Sequence, residues 1–123
     1  MHPTPTMASI LSRYAAGERS FSHLDLDSED HDFSGQVLED ADFSGCFIVA
    51  TFCGAKLARA RFEGANVKTC DFTDADLRNA VFDGAAIDAA VFQGADLTGA
   101  SFVGASEQCY VYTAGELPFR NAT

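Results

Sequence analysis

The sequence predicts an all-β solenoid, built from short extended edges that turn a corner every five residues. Three observations carry that prediction. From Ala50 to Ala105 a large apolar residue returns at every fifth position: Phe52, Leu57, Phe62, Val67, Phe72, Leu77, Phe82, Ile87, Phe92, Leu97 and Phe102. Two places before each of them stands Ala, or once Cys70. Glycine recurs two places after, as in Phe52-Cys53-Gly54 and Phe82-Asp83-Gly84. A period of five fits neither the 3.6 of a helix nor the 2 of a flat strand, so the unit is an edge followed by a bend.

Within a unit, extended backbone puts residues two apart on the same side, so the small and the large apolar residue both point inward. The inward position next to a bend has little room, which selects Ala; the middle of the edge accepts a ring or Leu. Glycine at the bend fits a turn residue with positive φ. Phe alternates with Leu, Val or Ile, which adds a second period of ten. Four edges per coil would then stack Phe52, Phe72 and Phe92 together, and likewise Leu57, Leu77 and Leu97. Three edges would mix sizes at each level. Uniform columns pack without voids and layer at about 4.8 Å, which favours four edges and a coil of about 20 residues. Two edges would also give uniform columns.

The units Ala75-Asp76-Leu77-Arg78-Asn79, Ala95-Asp96-Leu97-Thr98-Gly99 and Ala65-Asn66-Val67-Lys68-Thr69 resemble the consensus of the pentapeptide-repeat family. The resemblance covers residues 21–105 and implies a right-handed quadrilateral β-helix, in agreement with four edges. Counting units gives about four coils.

Taken in order, residues 1–7 carry two prolines and no periodicity, the pattern of a disordered tail, and Met7 is an alternative start. From Ala8 to Gly17 the residues Ile10, Leu11, Tyr14 and Ala15 fall at helical spacing and Gly17 supplies a stop. A short helix capping the first coil is expected, because an uncapped solenoid end exposes apolar side chains and unpaired backbone. Residues 1–20 therefore read as tail and cap. Phe21 and Leu26 open the coils, and the seven-residue gap to Phe33 predicts that Asp27–Asp32 loops out. Phe33, Leu38 and Phe43 restore the period. One residue is then lost before Phe52, so either Phe47 or Ile48 points inward. After Ala105 the period is expected to fail, and 106–123, with Tyr110, Val111, Tyr112, Leu117, Pro118 and Phe119, is too apolar for a free tail. It should cover the last coil or form a subunit contact.

At 123 residues and 47% hydrophobic content the chain forms one elongated domain. A net charge of −10 excludes direct nucleic-acid binding, which needs Lys and Arg clusters, and disfavours anionic membranes. No apolar run approaches the roughly 18 residues of a membrane span, and no basic-then-apolar leader opens the chain. A cytoplasmic protein is expected. Cys46, Cys53, Cys70 and Cys109 show no Cys-x-x-Cys spacing and read as reduced, structural or incidental thiols.

Candidate sites are few. Residues 1–42 hold nine acids, Glu18, Asp25, Asp27, Glu29, Asp30, Asp32, Glu39, Asp40 and Asp42, against Arg13 and Arg19. The cluster from Asp25 to Asp32 invites a calcium reading. Its sixth position is Asp30 where the EF-hand loop needs Gly, and its twelfth is Gln36, so it reads as a solvated loop. His2, His23 and His31 all precede the regular coils. A filled prism offers no cleft in which a base and nucleophile could meet, so no enzyme, no cofactor and no metal is expected. Asp76 and Asp96 share an outer ladder below Lys56, with Arg59 and Arg78 to offset them. The exposed candidates for contact are Val81, Val91 and Val103, read as one mildly apolar strip, with Tyr110 and Tyr112 in the tail.

Two functions follow. One is a non-enzymatic interaction or scaffold module with an unknown protein partner, able to form a homodimer through the C-terminal segment. The other is implied by the family resemblance, some of whose members mimic duplex DNA and bind DNA gyrase, a type II topoisomerase, giving quinolone resistance. The overall charge suits it; the crowding of acids at one end does not.

Overall fold

A computed structural model describes residues 6–118, the side chains of 27–30 excepted. The tail 1–5, His2 and Phe119 lie outside the described residues. The chain begins with a helix, α1 (Met7–Ala15), whose start is fixed by Thr6: its hydroxyl accepts from the Ser9 amide at 3.1 Å, while the Ser9 hydroxyl accepts from the Thr6 amide at 3.0 Å. Ile10 is fully buried, with Met7, Leu11 and Tyr14 packed against the same core. The Tyr14 hydroxyl donates to the Glu39 carbonyl at 2.9 Å. The helix thus lies on the first coil as a cap, one or two residues from the bounds read off the sequence.

The coils then rise in parallel register. Lys56 pairs with Asp76 and Asp76 with Asp96; Thr51, Asp71 and Val91 form a second ladder, Arg61, Val81 and Ser101 a third, Asn66, Ala86 and Ser106 a fourth. Every step is 20 residues, which is four five-residue edges per turn and removes the two-edge alternative. Below this the step shortens to 19, as Val37 pairs with Lys56 and Asp42 with Arg61. The cause is β2 (Phe47–Thr51), where Ile48 points inward, 1% exposed, and Phe47 points out, 45% exposed. A single residue, Val49, replaces the two-residue bend. Its parallel neighbour is β1 (Asp25–Asp32), paired as Asp25 with Phe47, Leu26 with Ile48, His31 with Ala50 and Asp32 with Thr51. Residues 27–30 therefore oppose Val49 alone, so the insertion is shorter than the expected loop Asp27–Asp32: His31 and Asp32 stay in the ladder, and His31 is buried.

Successive edges go round the square, so alternate edges face each other across the tube. One wall carries Phe33, Phe52, Phe72 and Phe92; the opposite wall carries Phe21, Phe43, Phe62, Phe82 and Phe102. The remaining walls carry Leu38, Leu57, Leu77 and Leu97, and Leu26, Ile48, Val67 and Ile87. None of these exceeds 5% exposure. Rings in one column stack face to face, Phe52 on Phe72 at 5.1 Å and Phe82 on Phe102 at 4.8 Å. Rings from opposite walls meet edge to face, Phe72 against Phe82 at 5.5 Å and 86°. Both geometries suit the ring quadrupole, which accounts for nine of the eleven Phe and fits the lack of Trp.

The C-terminal end reverses direction in a hairpin, β3 (Ser106–Glu107) and β4 (Tyr110–Val111), paired antiparallel as Ser106 with Val111 and Glu107 with Tyr110. The expectation that the period ends at Ala105 needs correction. Glu107 and Tyr112 keep the five-residue step after Phe102, and both are only 7% exposed; Leu117, the next in step, is partly buried against the core. The inward spacing outlasts the ladder because the covering strand must still fill the end of the tube.

Candidate interaction surface

The residues just before the inward apolar position explain the recurring Asp and Asn. Each turns its side-chain oxygen onto the amide two residues on: Asp42 to Ser44 at 2.9 Å, Asp71 to Thr73 at 2.9 Å, Asp76 to Arg78 at 3.2 Å, Asp96 to Thr98 at 3.1 Å and Asn66 to Lys68 at 3.2 Å. The amide at the bend has no ladder partner of its own, so the side chain supplies one. These bonds hold carboxylates low. Asp76 lies below its ordinary range chiefly through the Arg78 guanidinium, and Asp96 through the Thr98 side chain and amide. At Asp71 burial pushes up, but the Thr73 hydroxyl and amide and the Cys53 thiol together prevail and lower it.

Other charges are tied across coils. Arg59 donates two bonds to Asp40, at 2.8 and 3.1 Å; Asp83 accepts from the Val103 amide at 3.0 Å and Asp88 from the Gln108 amide at 3.0 Å. Arg78 pairs with Asp76 at 2.7 Å, so the Asp76–Asp96 ladder is partly offset, as the sequence implies. These pairs are exposed, so solvent screens them and they add little to stability.

Residues that could do chemistry are scattered. His23 sits at an exposed corner with φ +58°. His31 is 4% exposed, and its Nε2 has no hydrogen-bond partner. Cys46 is buried, its thiol donating to the Phe21 carbonyl at 2.9 Å, and burial pushes its pKa up to about 11. Cys70 is buried in an inward Ala slot, Cys53 is half-buried and Cys109 exposed. Among the described residues no three His, Cys, Asp or Glu side chains gather as a metal site. No described helix is long and apolar enough to cross a membrane.

The five residues read as an apolar contact surface do not form one. Val91 stands on the ladder with Thr51 and Asp71, whereas Val81 stands on the ladder with Arg61 and Ser101. Those ladders lie on opposite faces, so the strip joining Val81, Val91 and Val103 is not present. Val81 is only half-exposed. Tyr112 points inward over Phe102, ring centroids 6.2 Å apart, and its hydroxyl donates to the buried Glu107 carboxylate at 3.1 Å. Counting 20 residues on from Phe92 lands on Tyr112 and would have revealed this. Val103 and Tyr110 do share a place, together with Val111, which the sequence reading left out of the surface: they are 43%, 50% and 59% exposed. The Gly104 amide donates to the Tyr112 carbonyl at 2.8 Å, which brings the bend at Val103–Gly104 beside the residue that follows β4. Exposed Phe47 and Val37 stand apart on lower coils.

The family profile described as pentapeptide repeats matches residues 46–84 and 70–106, with eight copies. Among solved structures, a pentapeptide repeat protein from Nostoc Pcc 7120 is 23% identical with a TM-score of 0.51, covering 100% of this chain and 98% of that one. HetL, a pentapeptide repeat protein involved in heterocyst differentiation regulation from Nostoc sp. strain PCC 7120, is 28% identical with a TM-score of 0.46 over 82% of this chain and 46% of its own. QnrB1, a plasmid-mediated fluoroquinolone resistance protein, is 32% identical with a TM-score of 0.42 over 72% of this chain and 43% of its own. The chain thus spans less than half the length of the latter two. No curated protein matches the sequence. The unbroken five-residue period, the 20-residue coil and the repeat profile agree, and the chain belongs to the pentapeptide-repeat family, folded as a right-handed quadrilateral β-helix.

Proposed function

We propose that the protein is a non-enzymatic interaction module that binds a protein partner through its outer surface. The observation that carries this reading is the division of its side chains. Those pointing in are rings and aliphatic groups in mutual contact, and most of the outward carboxylates are engaged in bends or ion pairs. The largest exposed apolar side chains then remain as unspent surface, and three of the six, Val103, Tyr110 and Val111, gather at the C-terminal end.

A pull-down from the source cells, comparing the wild type with Tyr110→Ser/Val111→Ser, tests this. A protein retained by the wild type and lost with the variant is expected. Equal retention by both, or turnover of a substrate abolished by one surface substitution, would overturn it.

The DNA-mimic reading draws less support from the surface. A mimic needs free carboxylates tracking the whole rod, whereas Asp40, Asp71, Asp76, Asp83 and Asp96 are each held by a neighbouring donor. Four coils also span only some six base pairs at about 3.4 Å each. Inhibition of gyrase supercoiling at micromolar protein would reverse this preference.

A further inference from the structure

Among the described residues the buried polar side chains are His31 and Glu107, 4% and 7% exposed. Glu107 accepts from the Tyr112 hydroxyl at 3.1 Å. The Nε2 of His31 has no hydrogen-bond partner among the described residues. His31 stands two residues before Phe33, in the inward slot that Ala50, Cys70 and Ala90 fill in the coils above. A methyl group asks for nothing there, and the Cys70 thiol donates to the Ile48 carbonyl at 3.3 Å. An imidazole nitrogen buried in that slot without a partner gives up the hydrogen bond to water that it keeps in the unfolded chain.

A second observation falls on the same segment. In the upper coils rung follows rung at an unbroken 20-residue step. β1 meets β2 at its two ends alone, Asp25 and Leu26 on Phe47 and Ile48, then His31 and Asp32 on Ala50 and Thr51, and the register shifts in between. Leu26 and Phe33 are fully buried, and Phe33 stacks on Phe52 at 5.2 Å. The foothold at His31 and Asp32 therefore lies between two firm anchors and carries the unsatisfied imidazole. An interrupted ladder with an unmet buried polar atom opens at lower free energy than the continuous ladders above it.

We propose that residues 27–32 form a strap that lifts off β2 while the rest of the tube stays folded, and that His31 sets how often it does so. Lifting returns the imidazole to water and turns the segment into the loop that the seven-residue gap before Phe33 suggests. It also unpairs the edge of β2 at Ala50 and Thr51, on the strand that carries the exposed ring of Phe47. The surface shown on that side of the tube thus has a closed and an open form. This device goes beyond the interaction reading, which requires no motion.

Amide hydrogen exchange of the full chain, followed by NMR at neutral pH, provides the test. The Phe33 amide closes the Asp32–Thr51 pair by donating to the Thr51 carbonyl at 2.8 Å. Its matched references are the Phe52 amide, donating to Asp71 at 2.6 Å, and the Phe72 amide, donating to Val91 at 2.7 Å. Phe33 should be protected about tenfold less than either, or weaker still. His31→Leu, which keeps bulk in the slot without the nitrogens, should raise its protection about tenfold and leave Phe72 unchanged. If circular dichroism shows that variant unfolded, His31→Ala takes its place, with a smaller rise expected. Phe33 protected as strongly as Phe52 in the wild type, a substitution that leaves its protection where it was, or one that raises Phe72 equally, overturns the proposal. None of these results alters what the pull-down recovers.

Discussion

Replacing Phe72 by Ala tests the packing at its centre. The ring is fully buried, stacked between Phe52 at 5.1 Å and Phe92 at 5.2 Å, with Phe62 at 5.8 Å and Phe82 at 5.5 Å edge-on. Removing it forfeits about 1.5–3 kcal/mol of apolar burial and four aromatic contacts at about 0.5–1.5 kcal/mol each beyond area. Such sums overshoot when neighbours relax, and measured Phe→Ala losses run about 3–5 kcal/mol. Rigid columns above and below limit relaxation, so the upper end, about 5 kcal/mol, is expected. The comparison is Thr73→Ala, one residue along and pointing out. It loses the hydroxyl bond to Asp71, while the Thr73 amide keeps its own, a cost of about 0.5–1.5 kcal/mol. Urea unfolding followed by circular dichroism should separate the two variants by about 3 kcal/mol or more, with unchanged m. Midpoints that place them within about 1 kcal/mol would refute the inward assignment of the column.

Three further outcomes follow from the bends and the charges. Ala89 adopts φ +58°; Ala89→Gly should relieve about 1–2 kcal/mol of left-handed strain and lose about 0.4–1 kcal/mol to unfolded-chain entropy. A urea midpoint raised by the difference is expected, and one that falls would deny the strain. Gly94, at φ +72°, lies over Asp74, whose Oδ1 would clash with an added Cβ. Gly94→Ala should therefore destabilise, and Asp74→Ala should restore part of the loss in a double-mutant cycle; simple additivity would show that the clash is absent. Asp32, Asp40, Asp71, Asp76, Asp96 and Glu116 all have folded pKa values below their ordinary ones. Depressed carboxylates add stability that is complete above the unfolded pKa and disappears as pH falls through the folded one. The melting temperature should be level near neutrality and decline below about pH 4, less steeply in Asp71→Asn; a decline already present at pH 6 would contradict this.

How much of this was legible in the sequence depends on what each residue has to satisfy. Phe52 through Phe102 could be placed inward with their spacing alone, because a one-residue slip would turn every ring into water. The slip before Phe52 could be located but not assigned: Phe47 and Ile48 are both apolar, and only the pairing of Ile48 with Leu26 decides between them. The Val81–Val91–Val103 strip failed because residues ten apart lie on opposite walls of a four-edged coil, so nearness in sequence to the C-terminal end does not put Val91 beside Val81. Tyr112 was misplaced for the reverse reason. The loss of regularly spaced Gly and Ala after Ala105 hid a spacing that Glu107 and Tyr112 still keep. The cap hairpin itself carries no strong turn pair, and its reversal depends on Gln108 taking φ +55°, which the residue type does not announce.

The same geometry explains why acidic composition is a poor guide to what this surface binds. A bend every five residues leaves an amide that needs an acceptor, and Asp is the short side chain that reaches it. Carboxylates therefore accumulate with the number of coils, whatever the partner. Specific recognition has to come from positions that the bend does not use. Along the walls those positions vary in chemistry from coil to coil, as Arg61, Val81 and Ser101 do on one ladder. At the end of the tube the repeat stops imposing its pattern, and Val103, Tyr110 and Val111 are free to be selected for contact. For a repeat protein whose walls are set by folding, the ends are where sequence can encode a partner at least cost to stability.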